Sequence, residues 1–427
     1  MTIHSQQHPR CCAPTCRAQV EALSVLVFLS LTIPAFADND IHGRLELQDV
    51  GAFARADSLA AAFDSRDRND LAGSLRLTWE PSWDNWNIAF HYVALSDYGD
   101  GARLQRLEGA LLPQPPSTWL NLFDTFEDHG KIIASHGVDR LSVAYSTPSF
   151  VVRVGRQALT WGGGYVFRPM DLFDPFAPSA TDTEFKPGTD MIYAQWLFQD
   201  GSDLQAIAVP RPSVKGASPA MNASSFALHY RRAVGAIQAT VLVARDHGDW
   251  TGALQLSGPL AGASWNLELV PVFVNHGPAR LSAIANISAA VTLFARNATL
   301  FAEYFHNGFG VTDGDATFAT LPPALLDRLT RGQLFNVRQN YLAAGLTLEW
   351  TPLLTLSPTL IAGLDDASLY ALFAANYSLS DNLVLIAGAQ APFGPKGTEF
   401  GGLPATLANP ATLGPSPVLY LQIRQYF

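Results

Sequence analysis

The sequence predicts an all-β protein, a single closed antiparallel barrel of about 18 strands set in an outer membrane. Three observations carry this reading. Charged residues make up 15% of the chain, against roughly 25% in soluble proteins. Apolar side chains recur at alternate positions through most of its length. The links between those alternating segments are short and long by turns.

At the N-terminus, Arg10 and Arg17 precede an apolar run from Ala22 to Ile33 and a small-residue site, Ala35-Phe36-Ala37, before Asp38. This order is that of a secretory signal peptide cleaved after Ala37. The run is too short for a membrane helix, which needs about 20 apolar residues. Cys11, Cys12 and Cys16 all precede it, so the mature chain, residues 38–427, is expected to hold no disulfide and no thiol chemistry. Losing Arg10, Arg17 and Glu21 takes the net charge from −10 to about −11, which disfavours nucleic acid as a partner. No later apolar run is long enough to span a bilayer as a helix. A closed barrel is the other way to satisfy every backbone group there.

The strands follow from period two. Leu75, Leu77 and Trp79 face one way and Ser74, Arg76 and Thr78 the other; Phe226, Leu228 and Tyr230 alternate with His229 and Arg231. Trp265, Leu267 and Leu269 alternate with Asn266 and Glu268, Leu346, Leu348 and Trp350 with Thr347 and Glu349. Leu369, Ala371, Phe373, Ala375 and Tyr377 form one of the longest runs. A soluble β-sandwich alternates in the same way, but long strands, low charge and the leader point to the membrane. Strands are expected to start near residues 41, 70, 85, 138, 149, 190, 203, 224, 236, 250, 263, 284, 297, 339, 353, 368, 382 and 417. If the segments near 250 and 353 are misread, the count falls to 16. Short links, such as Thr147-Pro148 and Ser380-Asp381, follow even strands, and the longest, at 51–69, 97–136, 161–188, 308–336 and 392–416, follow odd ones. That asymmetry fits short periplasmic turns and longer external loops. Trp79, Trp83, Trp86, Trp196, Trp265 and Trp350 sit near strand ends, as aromatic girdles do.

Leu419, Leu421 and Ile423 alternate up to the terminal Phe427. This resembles the last strand of outer-membrane barrels, whose terminal Phe is recognised by the barrel-assembly machinery; Gln425 departs from that pattern. Deleting Phe427 is therefore expected to lower the yield of heat-modifiable, folded protein on gels while leaving secretion unchanged.

The densest motif runs from Val154-Gly155-Arg156-Gln157 through Trp161-Gly162-Gly163-Gly164 and Pro169-Met170-Asp171-Leu172-Phe173-Asp174-Pro175-Phe176 to Lys186-Pro187-Gly188. It resembles a signature of proteobacterial, porin-like outer-membrane barrels, in which a G-R-Q strand end meets a W-G loop and a P-x-D-L-F-x-P-F stretch. More loosely it is similar to the alginate-export barrels, which also carry a G-R-Q strand. The close match covers about 45 residues, so the resemblance implies fold more firmly than substrate.

Read from its residues, the segment 161–188 is the third external loop. Its three glycines permit a sharp turn into the barrel, and its prolines stiffen the rest of the loop. Six apolar or aromatic side chains, among them Phe167, Phe173 and Phe185, need burial. The loop is expected to fold into the lumen and narrow it, placing Arg168, Asp171, Asp174, Asp182, Glu184 and Lys186 at the constriction, where low-dielectric walls sharpen their fields. Alternatively, these charges pair among themselves and pin the loop to the wall. Arg44, Arg76, Arg153, Arg231, Glu268, Glu303, Glu349 and Arg424 fall on lumen-facing positions, beside Glu46. That mixed lining is less basic than a polyuronate channel requires.

The expected function is a porin-like channel for small or amphipathic solutes, with outer-membrane lipids as surroundings, no cofactor and no metal. An alternative is a barrel with a filled lumen acting in envelope assembly or polymer export. Catalysis is not expected: the sequence contains no G-x-S-x-G elbow and no H-E-x-x-H pair, which leaves an outer-membrane hydrolase as the weakest reading. The first strand begins close behind Asp38, with no room expected for an N-terminal plug. The solute is not legible.

Overall fold

The computed structural model describes residues 41–63, 66–111, 118–312, 314, 316–406 and 411–427. The expected leader and its cleavage site lie outside them. The described residues form 18 barrel strands: β1 Ile41–Phe53, β2 Asp67–Trp79, β3 Trp86–Tyr98, β4 Ile132–Ser146, β5 Phe150–Gln157, β6 Thr189–Leu197, β7 Asp203–Val209, β8 Ser225–Val234 and β9 Ile237–Asp246. The second half comprises β10 Asp249–Leu260, β11 Ala263–Phe273, β12 Arg280–Leu293, β13 Arg296–His306, β14 Asn340–Thr351, β15 Leu354–Gly363, β16 Ser368–Ser380, β17 Leu383–Phe393 and β18 Val418–Tyr426. Each pairs antiparallel with the next, and β18 returns to β1, with Arg44 opposite Tyr426 and Ala52 opposite Val418. Closure removes the unpaired edges that an open sheet would carry. No helix among the described residues is long and apolar enough to cross a membrane.

The alternation expected from the sequence sorts the two faces. In β9, Val241 and Val243 are 47% and 51% exposed while Leu242 between them is 0%. Leu419, Leu421 and Ile423 of β18 point outward, and Gln422 and Arg424 are buried inward. An apolar exterior over a polar interior is the inverse of a soluble fold and suits a lipid surround. The Gln425 amide, the departure noted in β18, donates to the Tyr426 carbonyl at 2.9 Å. The strands at 249 and 354 are both present, so the count is 18 and not 16.

Two expectations are refined. The six tryptophans named above flank the short turns at one end of the barrel. At the opposite end the exposed aromatics are instead Phe53, Tyr98, Trp250, Phe273 and Phe393. β4 starts at Ile132, six residues before its expected start: its first residues pair with β3 on one side, Tyr98 opposite Ile132, and with an extra strand, Phe123–His129, on the other.

β4 also carries a bulge. Opposite β3, His91 pairs with Arg140 and Tyr92 with Val138, leaving Asp139 as the extra residue. The bulge turns both Asp139 and Arg140 into the protein, where each is buried.

The loops after odd strands converge over one end of the lumen. L3 spans 158–188, L7 spans 307–339 with a helix, α1, at Pro323–Thr330, and L9 spans 394–417. Their apolar side chains, including Trp161, Met170 and Phe173 of L3, Phe309 and Leu325 of L7 and Leu403 of L9, bury in one cluster with the strand residues Leu242 and Val270. The link from β9 to β10 is only His247-Gly248, both with positive φ, the tight hairpin geometry that suits twisted strands. Its brevity leaves room for L7: Arg328 of α1 donates to Asp249 at 2.8 Å and lies 3.8 Å over the Phe309 ring.

Candidate functional site

L3 enters the lumen through its glycines. Gly162 has φ +91°, and a Cβ on Gly164 would stand 1.7 Å from the Phe167 carbonyl oxygen; only glycine fits that turn. Behind the turn, Trp161 stacks on His229 of β8 at 5.0 Å and donates to Gln205 of β7 at 3.0 Å. Tyr165 stacks on Phe301 and Phe167 on Phe305, at 4.8 and 4.6 Å.

Two wall carboxylates receive the backbone of this turn. Glu303 of β13 accepts from the N–H groups of Tyr165, Val166 and Phe167 at 2.6, 3.0 and 2.8 Å, and from Asn286 at 3.0 Å. Glu268 of β11 accepts from the Gly163 N–H at 2.5 Å. Hydrogen bonds to a charged acceptor contribute about 1.5–3 kcal/mol each, so Glu303 is the strongest single anchor of the loop. Glu303 and Glu268, two of the acids read from sequence as lumen lining, thereby hold L3, while Glu268 Oε2 has no hydrogen-bond partner among the described residues.

Beyond this anchor the loop crosses to the far wall. Asp171 and Lys186, both buried, form an ion pair at 2.6 Å within the loop. Burial pushes the Asp171 carboxyl up to about 6 despite that partner, and burial pushes the Lys186 ammonium down. Asp174 adopts a left-handed conformation, φ 51°, and accepts from the Thr189 hydroxyl. Asp182 and Glu184 reach the seam where the barrel closes: Arg44 of β1 donates to them at 2.7 and 2.8 Å, and Arg424 of β18 lies 3.1 and 3.5 Å away. Burial favours the neutral form of Asp182, yet the Arg44 hydrogen bond, the Glu184 N–H and the charge of Arg424 hold its carboxyl below the usual range. The ring of Phe185 lies under two guanidiniums, Arg44 at 4.9 Å and Arg76 at 4.3 Å.

The six loop charges thus part into groups. Asp171 and Lys186 face each other in the packed interior; Asp174, Asp182 and Glu184 tie the loop to the wall. Arg168 is half-buried, donates from Nε to the Gly164 carbonyl at 3.3 Å and makes no ion pair among the described residues. On the wall, Arg231 pairs with Asp203 at 2.7 Å, Glu349 accepts from Asn297 at 2.9 Å, and Arg153 is half-buried on the lumen-facing alternation of β5.

Sequence reading missed a second cluster. Asp139 at the bulge accepts from Arg76 at 2.7 Å, from Arg140 at 2.8 Å and from the Gly188 N–H at 3.1 Å, which fixes the exit of L3. Arg156 of the G-R-Q strand end is buried, donates to Asp190 at 2.8 Å and to the Leu120 carbonyl, and so holds the preceding loop against β6. Only the G-R-Q motif hinted at this; a one-residue bulge leaves no periodic trace.

Two cavities meet beside the outer limb of L3. One, of about 430 Å³, lies between L3 and L7 and is lined by Asp174, Phe176, Asp182, Phe185, Arg331 and Phe335 among others. The second, of about 370 Å³, lies between L3 and the β1–β3 wall, beside Arg44, Gln48, Arg76, Asp97, Asp182 and Phe185. They share Asp182, Phe185 and Pro187.

An apolar outer wall, a closed 18-stranded sheet and a polar, loop-narrowed lumen define an outer-membrane β-barrel of porin architecture. Solved structures share the fold. Acinetobacter baumannii OccAB3 matches with TM-score 0.52 and 11% identity over 91% of this chain and 99% of that one. Acinetobacter baumannii OccAB1 matches with TM-score 0.51 and 10% identity over 93% and 99%. Pseudomonas aeruginosa OpdK, solved with vanillate, matches with TM-score 0.50 and 10% identity over 91% and 98%. At such identities the likeness is one of fold. No family model and no curated protein sequence matches the chain.

Proposed function

We propose that this chain is an outer-membrane channel through which small or amphipathic solutes pass between L3 and the β1–β3 wall. The supporting observation is the pair of cavities meeting at Asp182, Phe185 and Pro187, one opening toward L7 and the other lying along the wall. OccAB3 and OpdK share the fold, a likeness that supports a porin-like channel. On this reading the constriction is the outer limb of L3, with Asp174, Asp182 and Glu184 beside the path and Asp171 and Lys186 serving as its internal brace. Phe185, held under Arg44 and Arg76, is the steric gate. Arg168 supplies a positive charge near the turn that makes no ion pair among the described residues.

The chain is proposed to reach the membrane as a precursor, cleaved after Ala37 and inserted by the barrel-assembly machinery through β18 and Phe427. The loop motif supports kinship with the porin-like barrels that carry the G-R-Q and P-x-D-L-F-x-P-F signature. Planar-bilayer recording tests the channel. Phe185→Ala is expected to raise single-channel conductance about twofold by widening the narrowest point, with the fold unchanged on gels. A wild-type protein that inserts and conducts no ions would overturn the channel and favour a filled lumen.

A further inference from the structure

The loop end of the barrel carries a third cavity, of about 290 Å³, that the channel reading does not use. It lies between α1 in L7 and the folded L9, lined by Phe318, Leu326, Leu329, Phe335, Leu403 and Leu413 among others. It shares Thr330 and Phe335 with the vestibule between L3 and L7, so Phe335 divides the two.

We infer that this cavity is a binding pocket for a small, uncharged, apolar molecule, hydrocarbon-like and monocyclic or bicyclic in size, which deepens the channel reading by naming a ligand class at its mouth. The lining is mostly apolar side chain from three separate stretches of chain brought together by loop packing, with Thr330 and Glu399 as its polar members. Among the described residues the only ionisable group that borders it is Glu399, and its carboxyl is already engaged from within the protein. Val337 and Arg338 donate their N–H groups to it at 3.0 and 2.9 Å, and Tyr341 its hydroxyl at 2.9 Å. Burial pushes Glu399 up to about 7, so below neutrality it adds little charge. An anionic ligand would leave water for a wall that offers it no positive counter-charge; an apolar ligand leaves the hydrogen bonds of Glu399 intact. The volume suits about ten non-hydrogen atoms, at the ~30 Å³ each water occupies in the liquid. A peptide segment or an acyl chain of membrane length does not fit within it. The position argues for capture: a molecule leaving this pocket past Phe335 enters the cavity above the Phe185 gate.

The test uses the full mature chain in lipid nanodiscs and radiolabelled naphthalene. Uptake that saturates at one site per chain, above the linear partition into empty nanodiscs, is the expected result. Leu403→Trp fills the pocket and should weaken that uptake at least about tenfold. Leu329→Phe, on the half-buried side of α1, narrows the pocket without touching L9 and guards against a folding defect in the first variant. Crystals soaked with bromobenzene should show bromine between α1 and L9, and the peak should vanish in Leu403→Trp. Linear uptake, uptake unchanged in both variants, or bromine confined to the strand exterior would overturn the pocket. Potassium chloride conductance separates the two proposals: saturable binding without conductance removes only the channel, and conductance without saturable binding removes only the pocket.

Discussion

Excising residues 161–186 is expected to raise single-channel conductance severalfold and to abolish most ion preference, the largest change that any alteration of the lumen should produce. The excision is sterically simple. Gln157 of β5 and Thr189 of β6 stand directly opposite each other in the sheet, and Lys186 Nζ reaches the Leu159 carbonyl at 2.6 Å. The ends of the loop are therefore close, and a short glycine-serine link can replace it with a hairpin. What is lost is the bridge across the lumen, from the Glu303 anchor on β13 to the Arg44 and Arg424 anchor at the closing seam. Glu303→Ala tests the same point with one side chain. It strands three backbone N–H groups at about 1–3 kcal/mol for each that stays buried, so the loop should detach and conductance should rise toward the excised form. Unchanged conductance in both variants would mean that L3 is no constriction and serves instead to brace the wall.

Asp171→Asn is expected to destabilise the folded loop by about 3–5 kcal/mol, because it leaves the Lys186 ammonium buried without its counter-charge. Had Asp171 stood at the constriction, as expected from the sequence, this substitution would shift ion preference with little effect on conductance. The geometry changes that expectation: Asp171 is 3% exposed and Lys186 6%, so neither charge is presented to a passing ion. A lowered midpoint of loss of heat-modifiable mobility, together with noisy, intermittently enlarged conductance, is the expected outcome. Replacing the pair by Asp171→Leu with Lys186→Met should restore much of the stability, since a buried ion pair and a well-packed apolar pair of similar volume are often equivalent. Wild-type stability in Asp171→Asn, with a shifted ion preference, would return Asp171 to the solute path.

Much of this protein was determined by sequence in the strict sense that local chemistry leaves one choice. A strand between lipid and lumen must alternate, and the bilayer forbids an unpaired edge; hence 18 strands could be placed, most within a few residues of their starts, and the barrel follows. The entry of L3 into the lumen was legible for the same kind of reason, since a run of glycines beside unhidden aromatics has few places to go. Tertiary structure alone decided the rest. Which charges pair depends on contacts between residues up to 378 positions apart, as in Arg424 with Glu46, set opposite each other where β18 closes on β1, and no periodicity encodes a partner. The same six loop charges that looked equivalent in sequence became a buried brace in Asp171 and Lys186, tethers in Asp174, Asp182 and Glu184, and in Arg168 a cation with no ion pair among the described residues. The apolar pocket under α1 arises only when L7 and L9 meet. Side chains of those loops that merely looked apolar in sequence acquire a shared cavity because packing two irregular loops leaves volume that neither specifies by itself.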